Sequence, residues 1–226
     1  MGQKIKPDSL RLGITKKWFS NWFAKKFKFQ PLLEEDILLR DEINKKAATS
    51  GIDSIIIDKA AGNYRITISS SRPGLIIGRG GKGVEDLTKL LESKLKNLRK
   101  KRGDSENFSL SLNIEELKRS EVSAKVVSQN IAWDLEKRFP FRRTIKKYLD
   151  QVFQNKEVEG AKINVSGRLD GGEIARSEHL ERGKLPLQTI RANIDYGEST
   201  AFTIYGTVGI KVWIYKGDIF KENESL

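Results

Sequence analysis

The sequence predicts an α+β protein of two domains, each built from helices packed on a small sheet. Three observations carry this. Segments with apolar residues at helical spacing take turns with segments of period two. A glycine-rich turn, Arg72-Pro73-Gly74-Leu75-Ile76-Ile77-Gly78-Arg79-Gly80-Gly81-Lys82-Gly83, joins a strand-like run to a helical one. The polar stretch Glu116 to Ser120 then breaks the pattern near the middle of the chain. With 226 residues there is room for two cores. We expect a basic N-terminal arm over residues 1–32, a first domain over 33–116 and a second over 117–226.

Residues 1–30 hold eight Lys or Arg against one acid, Asp8, interleaved with Trp18, Phe19, Trp22, Phe23, Phe27 and Phe29. Most of these aromatics are expected to pack on the body, leaving the cations to neutralise phosphate. Glu34 to Ala48 reads as a helix, with Leu39, Ile43 and Ala47 four apart and acids in the first turn. Ile55 and Ile57 mark one strand. Tyr64, Ile66 and Ile68 alternate with Arg65, Thr67 and Ser69 in a second, and Ala61-Gly62-Asn63 turns between them.

The glycine turn follows a short apolar segment. Gly78, Gly80, Gly81 and Gly83 carry no Cβ, so another molecule's backbone can approach, while Arg79, Lys82 and the N-terminus of the next helix favour an anion. The pattern Gly78-x-Gly80-x-x-Gly83 fits a dinucleotide fingerprint in letters only. Its strand is ended early by Arg72-Pro73, and the expected acid is replaced by the basic run Leu98 to Arg102. A Walker loop fails because Ile76 stands where a glycine is required and Gly83 where Ser or Thr is. Val84, Leu87, Leu91, Leu95 and Leu98 then form a helical stripe, and Phe108, Leu110, Leu112 and Ile114 a strand of period two.

In the second domain Ala124, Val127, Ile131 and Leu135 define a helix, and Pro140 separates it from another over Phe141 to Gln154. On that second helix Phe141, Ile145, Tyr148, Leu149 and Val152 share one side, while Arg142, Arg143, Lys146 and Lys147 line the flank and opposite face. Four like charges on one surface call for an anion against them, since like pairs at i,i+4 each cost about 0.2–0.5 kcal/mol. Ala161, Ile163 and Val165 mark a strand; a polar stretch runs to Gly183-Lys184-Leu185-Pro186, and strands resume at Leu187 to Asp195 and Thr207 to Tyr215.

Composition bounds the function. Forty-two Lys and Arg against 30 Asp and Glu give a net charge of +12, the footprint of a nucleic-acid binder. There is no cysteine and a single histidine, His179, which argues against a disulfide framework, a metal site or a catalytic triad and suits a reducing cytoplasm. Glu173, Glu178 and Glu181 beside His179 have no nucleophile or metal set with them and are expected to be solvated or salt-bridged. No apolar run approaches the ~18 residues of a membrane span, and the first thirty residues lack a signal-peptide core, so a soluble protein is expected. Met1-Gly2 does not complete a myristoylation motif, because residue 6 is Lys. No catalytic residue, cofactor or small-molecule substrate is expected.

The segment Ile76-Ile77-Gly78-Arg79-Gly80-Gly81 resembles the core of a KH domain, whose GXXG loop clamps about four nucleotides of backbone. The order helix, two strands, glycine loop, helix and strand resembles the prokaryotic, type II form, giving a type II KH domain followed by an α/β sandwich domain. Beyond this, Met1-Gly2-Gln3-Lys4, Leu10 to Ile14, Arg72-Pro73-Gly74, Phe141-Arg142-Arg143, Val165 to Leu169, Gly172 to Arg176, Asp195-Tyr196 and Gly209 to Ile214 are together similar to the family of bacterial small-subunit ribosomal protein three. That resemblance implies a cytoplasmic, ribosome-bound protein of the small-subunit head, with ribosomal RNA, messenger RNA and neighbouring head proteins as partners. It implies ribosomal RNA contacts at Lys4, Lys6, Arg11, Lys16, Lys17, Arg72, Arg168 and Arg176, and a KH loop of Gly78, Arg79, Gly80, Gly81 and Lys82. Arg142, Arg143 and Lys146, with Lys147 beside them, match family residues that help unwind incoming messenger. The chain departs from the family in a longer Lys100 to Asn107 loop and in one cation, not two, between the loop glycines. A free-standing KH regulator of RNA is the alternative; a dinucleotide oxidoreductase or a DNA-repair lyase would need a fingerprint in context or a nucleophilic lysine, and neither is identifiable.

Overall fold

The computed structural model describes residues 4–24, 27, 29–60, 62–103, 108–117 and 122–220. The chain divides into two compact units: residues 18–118, and residues 1–17 together with 119–226. The expected 1–32 arm is thus not one segment. Its first part, with the short helix α1 (Pro7–Arg11), belongs to the C-terminal unit; its remainder, with strand β1 (Ser20–Asn21), belongs to the other. The physical reason is Arg11. Its guanidinium lies inside the C-terminal unit, donating to the carbonyls of Ala192, Leu187 and Thr189 as well as Pro7.

In the unit spanning 18–118, α2 (Phe29–Lys46) leads into β2 (Ile52–Ala60) and β3 (Asn63–Ser70). Helix α2 starts five residues before the expected Glu34; Pro31 does not prevent this, because first-turn N–H groups have no partner within a helix. Next come α3 (Pro73–Ile77), α4 (Lys82–Arg102) and β4 (Ser109–Glu116). The segment expected as an apolar turn is therefore a short helix with Pro73 in its first turn. The sheet order is β1-β2-β3-β4, with β2 antiparallel to β3 and β4 parallel to β3. Leu39 and Ile43 of α2, Leu87, Leu91 and Leu95 of α4, and Ile57, Ile66 and Ile68 of the sheet are fully buried together. The leucine stripe predicted a core face, and it is one.

The arm's aromatics do not pack as expected. Phe23 and Phe27 are 94% and 93% exposed, and Trp18, Phe19 and Phe29 are also exposed. Trp22 is half-buried, its ring 5.6 Å from that of Phe29. The loop expected from Lys100 to Asn107 starts later than expected, because α4 runs on to Arg102 and ends at Gly103 in the left-handed conformation; residues 104–107 lie outside the described residues, as do Lys25, Lys26, Lys28 and the boundary stretch 118–121.

In the C-terminal unit, α5 (Ala124–Glu136) and α6 (Phe141–Phe153) pack on an antiparallel sheet of order β6-β5-β8-β7. Its strands are β5 (Gly160–Gly167), β6 (Arg176–Gly183), β7 (Ala192–Thr203) and β8 (Gly206–Asp218). Strand β6 falls in the stretch expected to be loop. It is a sheet edge exposed at nearly every position, so it carries none of the apolar alternation that betrays a half-buried strand. Leu187 to Arg191, expected as strand, instead curls to offer carbonyls to Arg11. Ile131, Ile145, Ile163, Val165, Ile210, Val212 and Ile214 form the core of this unit. Helix α5 is seated by Ser123, whose Oγ accepts from the Val126 amide, and by Asp195 of β7, which accepts from the Ala124 amide at 2.8 Å. Gly197 permits the contact, because a Cβ there would lie 2.4 Å from Ala124 backbone.

Candidate nucleic-acid interface

Two surfaces carry the candidate residues. The first is the loop between α3 and α4. Gly78 (φ 69°, ψ −178°), Gly80 (φ 61°) and Gly81 (φ 79°) all lie at positive φ. Gly83 serves differently: a Cβ there would stand 2.4 Å from the Ile76 carbonyl oxygen, so glycine lets the end of α3 meet the start of α4. The N-cap of α4 is Gly81, which has no side chain to cap the first-turn amides. The Lys82 amide is answered by the Arg79 carbonyl, and the amides after it lie at the positive end of the helix dipole. Arg79 and Lys82 are exposed at the same turn and have no ion-pair partner among the described residues. Glycines, two exposed cations without ion-pair partners and a helix start thus meet at one turn, chemistry that suits an anion.

The second surface is the outer face of α6. Phe141, Thr144, Ile145, Tyr148, Leu149 and Val152 are buried, while Arg142, Arg143, Lys146 and Lys147 are all exposed, as the helical wheel predicts. The four cations are not equivalent. Arg142 forks onto Glu178 of β6, with Nε to Oε2 at 3.1 Å and Nη2 to Oε1 at 3.2 Å. Arg176 reaches the same carboxylate at 3.1 Å, and these donors hold Glu178 below the usual carboxylate range. Lys147 lies 3.8 Å from Asp134, whose carboxylate also accepts from the Tyr148 hydroxyl. Arg143 and Lys146 have no ion-pair partner among the described residues. The expectation that all four await an external anion is corrected to two, with Arg142 and Lys147 answered in part by the protein's own carboxylates. These pairs are exposed, and such pairs are worth about 0.2–1 kcal/mol, so a phosphate can displace them.

The remaining expected contacts scatter. Arg11 is 0% exposed and gives its guanidinium to four carbonyls, so it is a strut of the fold and not a phosphate contact. A charge count cannot separate these roles. Lys6 pairs with Glu198 and Lys16 with Asp8. Lys4 and Lys17 are exposed. Arg72 is exposed before α3, its backbone amide donating to the Ser50 carbonyl and the Ser70 hydroxyl. Arg168 is exposed, donates to the Gly172 carbonyl at 3.0 Å and lies 6.0 Å from the Tyr205 ring centre. Of the acids around His179, Glu181 pairs with Lys162 and Glu178 with Arg142 and Arg176, while Glu173 is exposed. Among the described residues no cluster of His, Cys, Asp or Glu is arranged to hold a metal, and no helix is long and apolar enough to cross a membrane.

A glycine loop with an uncapped helix start, set in this order of helices and strands, defines an RNA-binding KH protein. Comparison with known families agrees: residues 38–122 match the family described as "KH domain" and residues 131–214 match "Ribosomal protein S3, C-terminal domain". Among curated relatives, "Small ribosomal subunit protein uS3" of Carboxydothermus hydrogenoformans is 44% identical over 98% of this chain and 95% of its own. Its namesake in Paracidovorax citrulli is 42% identical over 99% of this chain and 72% of its own. That of Clostridium botulinum strain Okra is 40% identical over 100% and 96%. The chain belongs to the family of small ribosomal subunit protein uS3, a family of structural ribosomal proteins and not of enzymes.

Proposed function

We propose that this protein is a structural constituent of the small ribosomal subunit, cytoplasmic and ribosome-bound. It holds ribosomal RNA and neighbouring proteins in the head, and through α6 it lines the channel by which messenger RNA enters and assists its unwinding. The observation that carries the messenger reading is the sorting of α6 into an apolar side packed on the core and a cationic side on which Arg143 and Lys146 have no ion-pair partner among the described residues. Two adjacent free cations on a rigid helix grip phosphates without reading sequence, which suits a strand that must slide. Once a base pair opens, the held strand is slow to re-pair, and no nucleotide hydrolysis by this protein is involved. The exposed residues Lys4, Lys17, Arg72, Arg168 and Arg176, and the exchangeable Lys6 and Lys16, supply contacts to ribosomal RNA, together with the loop from Gly78 to Lys82. The domain limits we propose follow the sequence, 33–116 for the KH domain and 117–226 for the second, with the first residues of the chain assigned to the latter. Sucrose-gradient sedimentation of cell extract tests the assignment. The protein is expected to travel with the small subunit and to leave it at high salt; a pool wholly in the free fractions would favour a free-standing KH regulator.

A further inference from the structure

At the end of the C-terminal unit where α6 begins, three turns enclose a cavity of about 420 Å³. The α5–α6 turn contributes Arg138 and Phe139, the β5–β6 connection contributes Arg168, and the β7–β8 hairpin contributes Phe202 and Tyr205. Phe139, Phe202 and Tyr205 are all exposed, although aromatic rings of this size ordinarily find cover. The volume is at the small end for a ligand site and suits a single planar group. Tyr205 is held in place: its ring lies against Gly171, where a Cβ would stand 3.0 Å from it, and the Arg168 guanidinium flanks it.

The backbone here is unusual. Arg138 (φ 64°) and Asp170 (φ 51°) are the two non-glycine residues of positive φ among the described residues, and both line this cavity. Arg138 follows the end of α5, a position where glycine adopts that conformation more cheaply. An arginine kept there despite the strain puts a guanidinium on the rim. Neither Arg138 nor Arg168 has a carboxylate partner among the described residues. Phe141 continues the aromatic wall into the first residue of α6, one position before the cationic face begins.

We propose that this cavity takes one unpaired nucleotide of the messenger strand held by Arg143 and Lys146, its base against Phe202 and Tyr205 and its phosphate against Arg138 and Arg168. The proposal rests on the reading of α6 as the messenger-facing helix. Aromatic faces and two guanidiniums without a carboxylate partner together suit a base with its phosphate, whereas an apolar side chain of a neighbouring protein would leave the charge of the two arginines unanswered. A base lodged there is unavailable for pairing, so the pocket would oppose duplex re-formation where the cations alone merely hold the backbone.

The test uses the full chain with a short single-stranded RNA carrying 2-aminopurine, and with a fully paired hairpin RNA. Phe202→Ala and Tyr205→Ala, both at exposed side chains, are expected to weaken single-strand binding about tenfold and abolish the 2-aminopurine fluorescence change, while sparing hairpin binding. The double variant Arg143→Ala/Lys146→Ala is expected to weaken both RNAs. Equal losses on both RNAs for the aromatic variants, or none on either, would overturn the pocket; a loss confined to the double variant would do so while leaving the α6 reading standing. Weakened aromatic variants beside an unchanged double variant would support base capture and overturn the α6 reading instead.

Discussion

Gly78 and Gly81 bound the same loop, yet their backbones make different demands. Gly78 sits at φ 69°, ψ −178°, a region open to glycine alone, and a Cβ there would come within 3.1 Å of the Gly83 nitrogen. Gly81 (φ 79°, ψ −2°) is in the left-handed helical region with open space around it, which Asp tolerates. Gly81→Asp is therefore expected to keep stability within about 1 kcal/mol while repelling phosphate at the start of α4, seen as weaker RNA binding with an unshifted thermal midpoint. Gly78→Ala, by contrast, should cost about 1–3 kcal/mol in urea unfolding. Glu178 allows the converse experiment. Glu178→Gln frees Arg142 and removes a negative charge from the α6 face, so RNA should bind more tightly, with the salt dependence steeper by about one phosphate contact. Unchanged affinity would mean that Arg142 does not meet RNA. Arg11 was illegible for a physical reason: a guanidinium wrapped in four carbonyls and one facing solvent look alike in a charge count.

The packing of α2, α4 and β3 includes a buried polar knot that no apolar periodicity announces. Glu35 of α2 accepts from the Tyr64 hydroxyl, from Lys59 at 2.9 Å and from Arg99 at 3.1 Å, with Phe108 under the Arg99 guanidinium. Burial alone would raise the Glu35 carboxyl, but these three donors outweigh it and hold it below its ordinary 4.5, while burial and then Glu35 itself push the Tyr64 hydroxyl up. A carboxyl depressed in the folded state stabilises above its unfolded value, and that contribution is lost as pH falls through the folded one. The KH unit should thus lose stability below about pH 4.5, and Glu35→Gln should flatten that acid limb. At pH 7 the same change should cost about 3–5 kcal/mol, since it strands buried cations. An unaltered acid limb would contradict the assignment. Apolar spacing made α4, α5, α6, β3 and β4 legible because each has one face in a core and one outside it. The edge strand β6 has no buried face, and α3 is a single short turn, so neither left that signature. For the binding surface, the four cations of α6 were legible from the wheel, but their division into paired and free was not, because Glu178 and Asp134 reach them from other elements.

Across the whole molecule, a charge of +12 includes exposed cations of both units, among them Arg79 and Lys82 at the KH loop and the four on the outer face of α6. Membership of the uS3 family accounts for a chain in which a KH domain is followed by a ribosomal protein S3 C-terminal domain. It does not by itself say what α6 does. That helix packs its apolar side into the core, so altering its outer face should leave folding and assembly intact; exposed substitutions of this kind usually stay within about 0.5 kcal/mol. Elongation by ribosomes reconstituted with Arg143→Ala/Lys146→Ala protein, compared on a messenger with a stable hairpin and on an unstructured one, tests the central claim most directly. The account predicts slowing on the hairpin with little change on the unstructured messenger; equal rates to wild type on both, or equal slowing on both, would contradict it.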